Sequence, residues 1–202
     1  PYDHFFYETR DQIYCSELVY AAFKDGPGTL ITLDQENGAV ENPLISGIAF
    51  NRDEAQITVV NVPDRPGIAA ALLGPVGQAN IEVDMIVQNV GGDGATDFTF
   101  TVNKGDFERA MDIVRGVGRE LGAEGVVGSQ DIVKVSVVGV GMRSHAGIAS
   151  QMFTALAAEG INIAMISTSE IKISVVIQEK YLELAVRTLH KSFGLEHAPE
   201  GA

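Results

Sequence analysis

Two turns of similar composition are the segments of this chain best suited to chemistry. Residues 62–67 follow a branched apolar run and end in Gly67, with Asp64 as a candidate helix cap; residues 142–147 repeat this order and end in Gly147, with Ser144 as the cap. A glycine at a helix start lets main-chain N–H groups approach a carboxylate, and the helix dipole favours its negative charge. The turns therefore predict either anion binding at two helix N-termini or two capped turns without a ligand.

These turns belong to an internal repeat. Residues 57–102 and 135–177 both read as strand, glycine-started helix, strand, strand, and one constant shift is expected to align the first three elements. The shift places Gly67 on Gly147, Ile81 on Ile161 and Met85 on Met165. Self-similarity of this kind predicts two copies of one small module, and a duplicated ligand-binding module is typical of a sensor.

The elements that position the turns alternate between short branched runs and helical patterns. Helices are predicted at 67–79, 105–121, 147–159 and 179–193, and a closing strand at 125–127. Two helices for each four strands predict a ferredoxin-like α+β sandwich, with both helices on one face of an antiparallel sheet. We expect an N-terminal segment at 1–43, modules at 44–128 and 129–195, and a flexible tail at 196–202.

Composition argues against several classes of function. The formal net charge of -13 opposes binding to a phosphate backbone or an anionic membrane surface. The one cysteine, Cys15, cannot form an intrachain disulfide, so we expect a reducing, cytoplasmic environment. No glycine-rich loop has the phosphate-binding pattern and no Cys or His spacing suits a metal, so neither a cofactor nor a metal is expected.

Several stretches resemble a known family. Residues 63–67, the hydrophobic helix after them and residues 80–84 look like the ACT module, a ferredoxin-like regulatory domain that binds small molecules, most often amino acids. Residues 86–89, 96–100, 134–145 and 166–174 closely resemble the tandem regulatory region of the aspartate kinase family, and the match covers about residues 27–195. The resemblance implies two ferredoxin-like (βαββαβ) ACT domains in tandem.

The resemblance also implies a ligand and its contacts. In that family, L-threonine, L-lysine or both bind where ACT modules pair and cause feedback inhibition. The residues that match the family's effector contacts come from both units: Asp64, Gly67, Ala69, Ile81 and Gln88 from the first, and Asn162 and Ile163 from the second. Thr168 and Ser169 match a stretch that shapes the site or its coupling. Glu82 and Ala146 stand where Asn and Pro are usual, so the choice of effector stays open.

Partners and catalytic role follow from the same resemblance. It implies a homodimer through the ACT modules and a catalytic subunit or domain of aspartate kinase as partner. The chain itself is expected not to phosphorylate aspartate, and to be either a short regulatory subunit or a regulatory fragment of the full enzyme. A constitutive scaffold for the kinase, indifferent to amino acids, is the alternative.

The first residues suggest a different chemistry. Residues 11–20 around Cys15 resemble the nucleophile segment of permuted papain-like amidases, where a helix N-terminus lowers the pKa of the thiol. Such a cysteine needs a histidine base, and in that family the histidine lies far upstream. His4 is too near, so a structural cysteine is favoured over an amidase. Residues 1–43 are interpreted as the end of a kinase-like domain or a fused fragment.

Overall fold

A computed structural model describes residues 44–90, 94–140 and 147–195 of the chain. Our predictions for residues 1–43, including Cys15, for the turn at 141–146 and for the tail at 196–202 fall outside these ranges. Within them, no helix is long and apolar enough to cross a membrane.

Across the described residues, eight strands and four helices follow one another in two similar series. The first series comprises β1 (Leu44–Asn51), β2 (Ala55–Pro63), α1 (Ile68–Gln78), β3 (Val83–Val90), β4 (Ala95–Val102), α2 (Phe107–Leu121) and β5 (Gly125–Ser129). The second comprises β6 (Ile132–Val140), α3 (Ile148–Ala158), β7 (Ile163–Thr168), β8 (Lys172–Gln178) and α4 (Leu182–Ser192). Short 3₁₀ turns at 104–106 and 179–181 lead into α2 and α4.

The strands form two antiparallel four-stranded sheets. Their strand orders are β3-β4-β2-β5 and β1-β6-β8-β7. Helices α1 and α2 pack on the first sheet, and α3 and α4 on the second, so that each module has its own core. The structure therefore confirms the predicted α+β class and the two ferredoxin-like modules.

Periodic apolar residues explain the helices that cover the sheets. In α2 the buried residues Phe107, Ala110, Met111 and Val114 recur at intervals of three or four and make one apolar stripe. The helix ends at Gly122, which adopts the left-handed conformation that glycine tolerates best (φ 79°). Helix α4 buries its residues at the same spacing. Helices α2 and α4 lie within the predicted ranges 105–121 and 179–193. The first residues of those ranges form the 3₁₀ turns instead.

The predicted boundary of the first module is wrong at its beginning. Residues 44–51 were assigned to that module, but β1 pairs with β6 of the second, from Leu44 opposite Val140 to Asn51 opposite Lys134. It is the closing strand of the second sheet, whereas β5 closes the first, as predicted. The first module thus spans 55–129, and the second combines β1 with 132–195.

The partner of β1 depends on contacts that are distant in sequence. Ile45 and Ile48 pack against the second core, although the strand precedes the whole first module. Because β1 is followed directly by β2, its position in the sequence favours the first sheet, whereas the strand belongs to the second. As a result, two short connections, residues 52–54 and 130–131, join the modules.

The prediction of one constant shift fails in the first strand of each unit. Ile57 pairs with Phe100 as Val135 pairs with Val175, so Ile57 corresponds to Val135 and not to Val137. Strand β2 contains an irregularity between Val59 and Val62, with Asn61 at a positive φ of 55°. Ile57 precedes Gly67 by ten residues, whereas Val135 precedes Gly147 by twelve, so the second unit is longer by two residues between strand and helix. The shift therefore differs between these two elements.

Candidate functional site

A cavity of about 400 Å³ lies over the first strand-to-helix turn. It is lined by the end of the turn, the first residues of α1 and one residue of β3: Asp64, Arg65, Pro66, Gly67, Ile68, Ala69 and Gln88. Four of the predicted effector contacts, Asp64, Gly67, Ala69 and Gln88, are thereby brought together.

The backbone of the turn creates this cavity. Gly67 adopts φ 92° and ψ -5°, a left-handed conformation that costs little only for glycine. Its carbonyl accepts the first helical hydrogen bond from the N–H of Ala71 at 2.9 Å, while the N–H of Asp64 donates to Gly94 O at 2.9 Å. A Cβ at Gly67 would meet no atom within 4 Å, so the glycine is needed for its conformation and the space above it is open.

The predicted capping role of Asp64 is wrong. In the part of the chain that the structure describes, no side chain caps α1, and Gly67 is the residue at the N-cap position. The left-handed glycine begins the helix three residues after Asp64, so the carboxylate lines the cavity instead. The first N–H groups of an uncapped helix lack intrahelical acceptors and can receive an anion.

The charges around the cavity suit a zwitterion. Asp64 and Gln88 offer oxygen acceptors, Arg65 offers a guanidinium, and the helix start offers main-chain N–H groups. Arg65, Pro66 and Ile68 were missing from the predicted contacts. In the sequence, their adjacency to Gly67 could have indicated that they line the cavity, because a turn at the edge of a cavity contributes consecutive residues to its wall.

The other residues predicted in the first unit and at the start of β7 do not line this cavity. Ile81 is only 4% exposed and packs in the first core, and its N–H donates to Val76 O at 3.2 Å. Asn162 is exposed just before β7, and Ile163 packs against the second core. Both belong to the second module, so their place in a site shared between modules stays a prediction.

Thr168 and Ser169 lie at the corresponding end of the second module. Thr168 pairs with Ile173 as Gln88 pairs with Phe98, so it occupies the position that Gln88 has in the first module. Ser169 closes the hairpin, because its N–H donates to Lys172 O at 2.8 Å. Gly147 begins α3 with φ 122° and Gly67 begins α1 with φ 92°, so a glycine with a positive φ starts both helices.

Comparison with known proteins shows what this arrangement is similar to. Residues 56–119 and residues 135–193 each match an ACT domain family. An aspartate kinase of Stutzerimonas stutzeri is 62% identical over 183 residues, which are 91% of this chain and 44% of that protein. The chain therefore spans less than half the length of the curated relatives it matches.

Solved structures agree with these matches. One chain of the aspartokinase alpha and beta subunits is 54% identical, with a TM-score of 0.71 over 75% of this chain and 99% of the matched chain. The ligand-free regulatory subunit of aspartate kinase from Thermus thermophilus is 42% identical, with a TM-score of 0.70 over 74% of this chain and 98% of that one. This chain belongs to the aspartate kinase family and corresponds to its regulatory region of two ACT domains.

Proposed function

We propose that this regulatory region senses amino acids and that the cavity at Gly67 binds L-threonine, L-lysine or both. The observation that carries the proposal is the uncapped start of α1, which opens into a cavity flanked by Asp64, Arg65 and Gln88. No cofactor takes part. Binding would give feedback inhibition of an aspartate kinase, the enzyme that begins the synthesis of lysine, threonine and methionine.

Each group of a free amino acid has a counterpart in the cavity. Its carboxylate is bound by main-chain N–H groups at Gly67 and Ala69, with Arg65 adding positive charge. Its ammonium group donates to the Asp64 carboxylate and to the amide oxygen of Gln88, which are charge-assisted hydrogen bonds. The effector's side chain then extends along β3.

The edge of the first sheet completes the site in a dimer. Strand β3 is an edge strand, as is β7 of the second sheet, and edge strands have main-chain groups free to pair with a neighbour. Ile86 and Ile166 lie at equivalent positions on these edges and are 52% and 45% exposed. In the proposed homodimer, Asn162 and Ile163 of the second chain approach the cavity from the far side, while Thr168 and Ser169 shape the corresponding end.

Inhibition follows from a population shift. The effector binds better to one arrangement of paired modules than to another, and the catalytic part of the kinase responds to that arrangement. That catalytic part, a domain or a separate subunit, is the proposed partner, and the cytoplasm is the proposed location.

Calorimetric titration tests the proposal. We expect heat of binding with L-threonine or L-lysine, and an increase in unfolding temperature at millimolar concentration of the same amino acid. Asp64→Ala should weaken binding by about ten- to a hundredfold, because a hydrogen bond to a charged group contributes about 1.5–3 kcal/mol. Asp112→Ala, an exposed carboxylate on α2, is the matched control and should bind normally. If neither amino acid gave heat of binding or raised the unfolding temperature, the result would favour a constitutive scaffold.

A further inference from the structure

The two modules contact each other through the faces of their sheets that the helices leave free. A small apolar cluster joins them there: Met85 from the first module with Ile132, Met165 and Val176 from the second, and Val87 packed alongside. Met85 and Met165 are equivalent residues, each on the edge strand that follows the first helix of its module. A contact in which equivalent residues meet is organised around an approximate twofold axis.

A second pair of equivalent residues meets at this contact with opposite charges. Lys104 and Glu179 each begin the 3₁₀ turn before the second helix of its module, and their Nζ and Oε2 atoms lie 2.7 Å apart. Lys104 holds the pKa of Glu179 below its usual value through this hydrogen bond. Had the modules kept the same residue at this position, two like charges would face each other.

A buried ion pair adds a stronger asymmetry. Lys134 Nζ lies 2.7 Å from Glu54 Oε1 and also binds the Asp84 carboxylate, and the Glu54 residue is only 2% exposed. Burial raises the pKa of Glu54 despite the lysine. Burial alone would lower the pKa of Lys134, but the hydrogen bonds of Asp84 and Glu54 raise it overall.

The positions equivalent to these charges carry no matching charges. By strand pairing, Lys134 of the second module corresponds to Gln56 of the first, and Glu54 corresponds to Ile132. Asp84 corresponds to Ala164, four residues before Thr168 as Asp84 is before Gln88. A contact between two first modules would therefore leave the buried Glu54 and the half-exposed Asp84 without a cation, and one between two second modules would bury lysines without a carboxylate.

We propose that this helix-free face is a recognition surface that accepts only the unlike module and rejects a second copy of itself. The apolar cluster is symmetric only in its two methionines, because Ile132 and Val176 of the second module correspond to Glu54 and Thr101 on the side of the first. It therefore favours the unlike pair as well. The selection by charge comes from Lys104 with Glu179 and from Lys134 with Glu54 and Asp84. Burying an unpaired charge is far more costly than losing an exposed pair, so the Lys134 group dominates.

Charge exchange across the axis tests the first pair on the complete chain. K104E and E179K each create a like-charge contact and should raise the equilibrium constant for unfolding in urea about two- to fivefold. The double variant K104E/E179K restores opposite charges with the modules exchanged, so its constant should return to within about twofold of the wild type. K180E, one residue away and exposed, is the control for net charge. A double variant no more stable than the singles would overturn the proposed role of this pair.

A reversal at Lys134 tests the buried group. K134E places a third acid beside Asp84 of the first module and Glu54 of the connection that leads into it, and should raise the unfolding constant on the order of a hundredfold or more. Arg52 lies exposed in the connection between the modules, so tryptic cleavage after it reports whether they separate. If K134E fails to fold, the neutral triple variant E54Q/D84N/K134M still decides, because it should fold and resist cleavage after Arg52. The proposal would be overturned if K134E were as stable as the wild type and as resistant to trypsin. It would also be overturned if the folded triple variant were cleaved after Arg52 faster than the wild type.

Discussion

Gly67→Ala provides the sharpest check on the geometry of the cavity. The residue has φ 92°, and an added Cβ would meet no atom within 4 Å, so the whole cost is conformational and no clash contributes. Placing alanine in a left-handed conformation costs about 1–2 kcal/mol. For a cooperative unit of about 150 residues, each kcal/mol lowers the unfolding temperature by about 2–4 °C. We therefore expect a loss of about 2–8 °C without any amino acid present.

Gly116→Ala is the matched control, because it lies in the middle of α2. A Cβ there also meets no atom within 4 Å, and its φ is not in the left-handed range. Alanine in a helix interior is favoured over glycine by about 0.5–1 kcal/mol, so this variant should be more stable than the wild type. Calorimetric scans of both variants at one protein concentration give the comparison. If Gly67→Ala were as stable as Gly116→Ala, the assignment of a left-handed backbone at the cavity would be refuted.

Three further perturbations have results fixed by the structure. Gly128→Ala should lower the unfolding temperature, because its Cβ would lie 2.7 Å from the ring of Phe107, and circular dichroism melting measures the loss. Leu156→Ala should cost about 2–5 kcal/mol in urea unfolding, since the side chain is fully buried in the second core; a cost below 1 kcal/mol would contradict that packing. Burial opposes ionisation of Asp84, but Lys134 lowers its pKa overall, so its stabilisation is present above the usual value of 3.8 and is lost as pH falls through the lower folded value. The advantage of the wild type over Asp84→Asn should therefore shrink below about pH 4 in denaturation curves.

Local patterns were sufficient for most of the fold. The four helices were predicted because their apolar residues recur every three or four positions, and the closing strand β5 because the β-α-β-β-α series of the first unit needs one more strand. The assignment of β1 failed because both sheets offer an open edge to such a strand. Only the packing of Ile45 and Ile48 against the second core decides between them, and that contact spans the whole first module.

The candidate site was predictable where the backbone alone defines it. Gly67 and Gly147 mark the two turns in the sequence, and the resemblance to the aspartate kinase family predicts Gln88 as a contact. Ile81 packs in the first core and does not line this cavity, and the sequence cannot distinguish the two positions because an apolar residue after a helix suits a cavity wall and a core equally well. Its role as an effector contact stays a prediction. The Lys134 group is not recognisable in the sequence for a different reason: its three members lie far apart along the chain, and no single segment carries the pattern.

The interleaved course of the chain has a mechanical consequence. Because β1 belongs to the second module, the backbone crosses between the modules twice, at 52–54 and again at 130–131. Two domains joined by one connection can rotate relative to each other about any axis. Two short connections restrict this rotation mainly to the axis that passes through both of them. A rotation of one module relative to the other would thus be confined to a single axis.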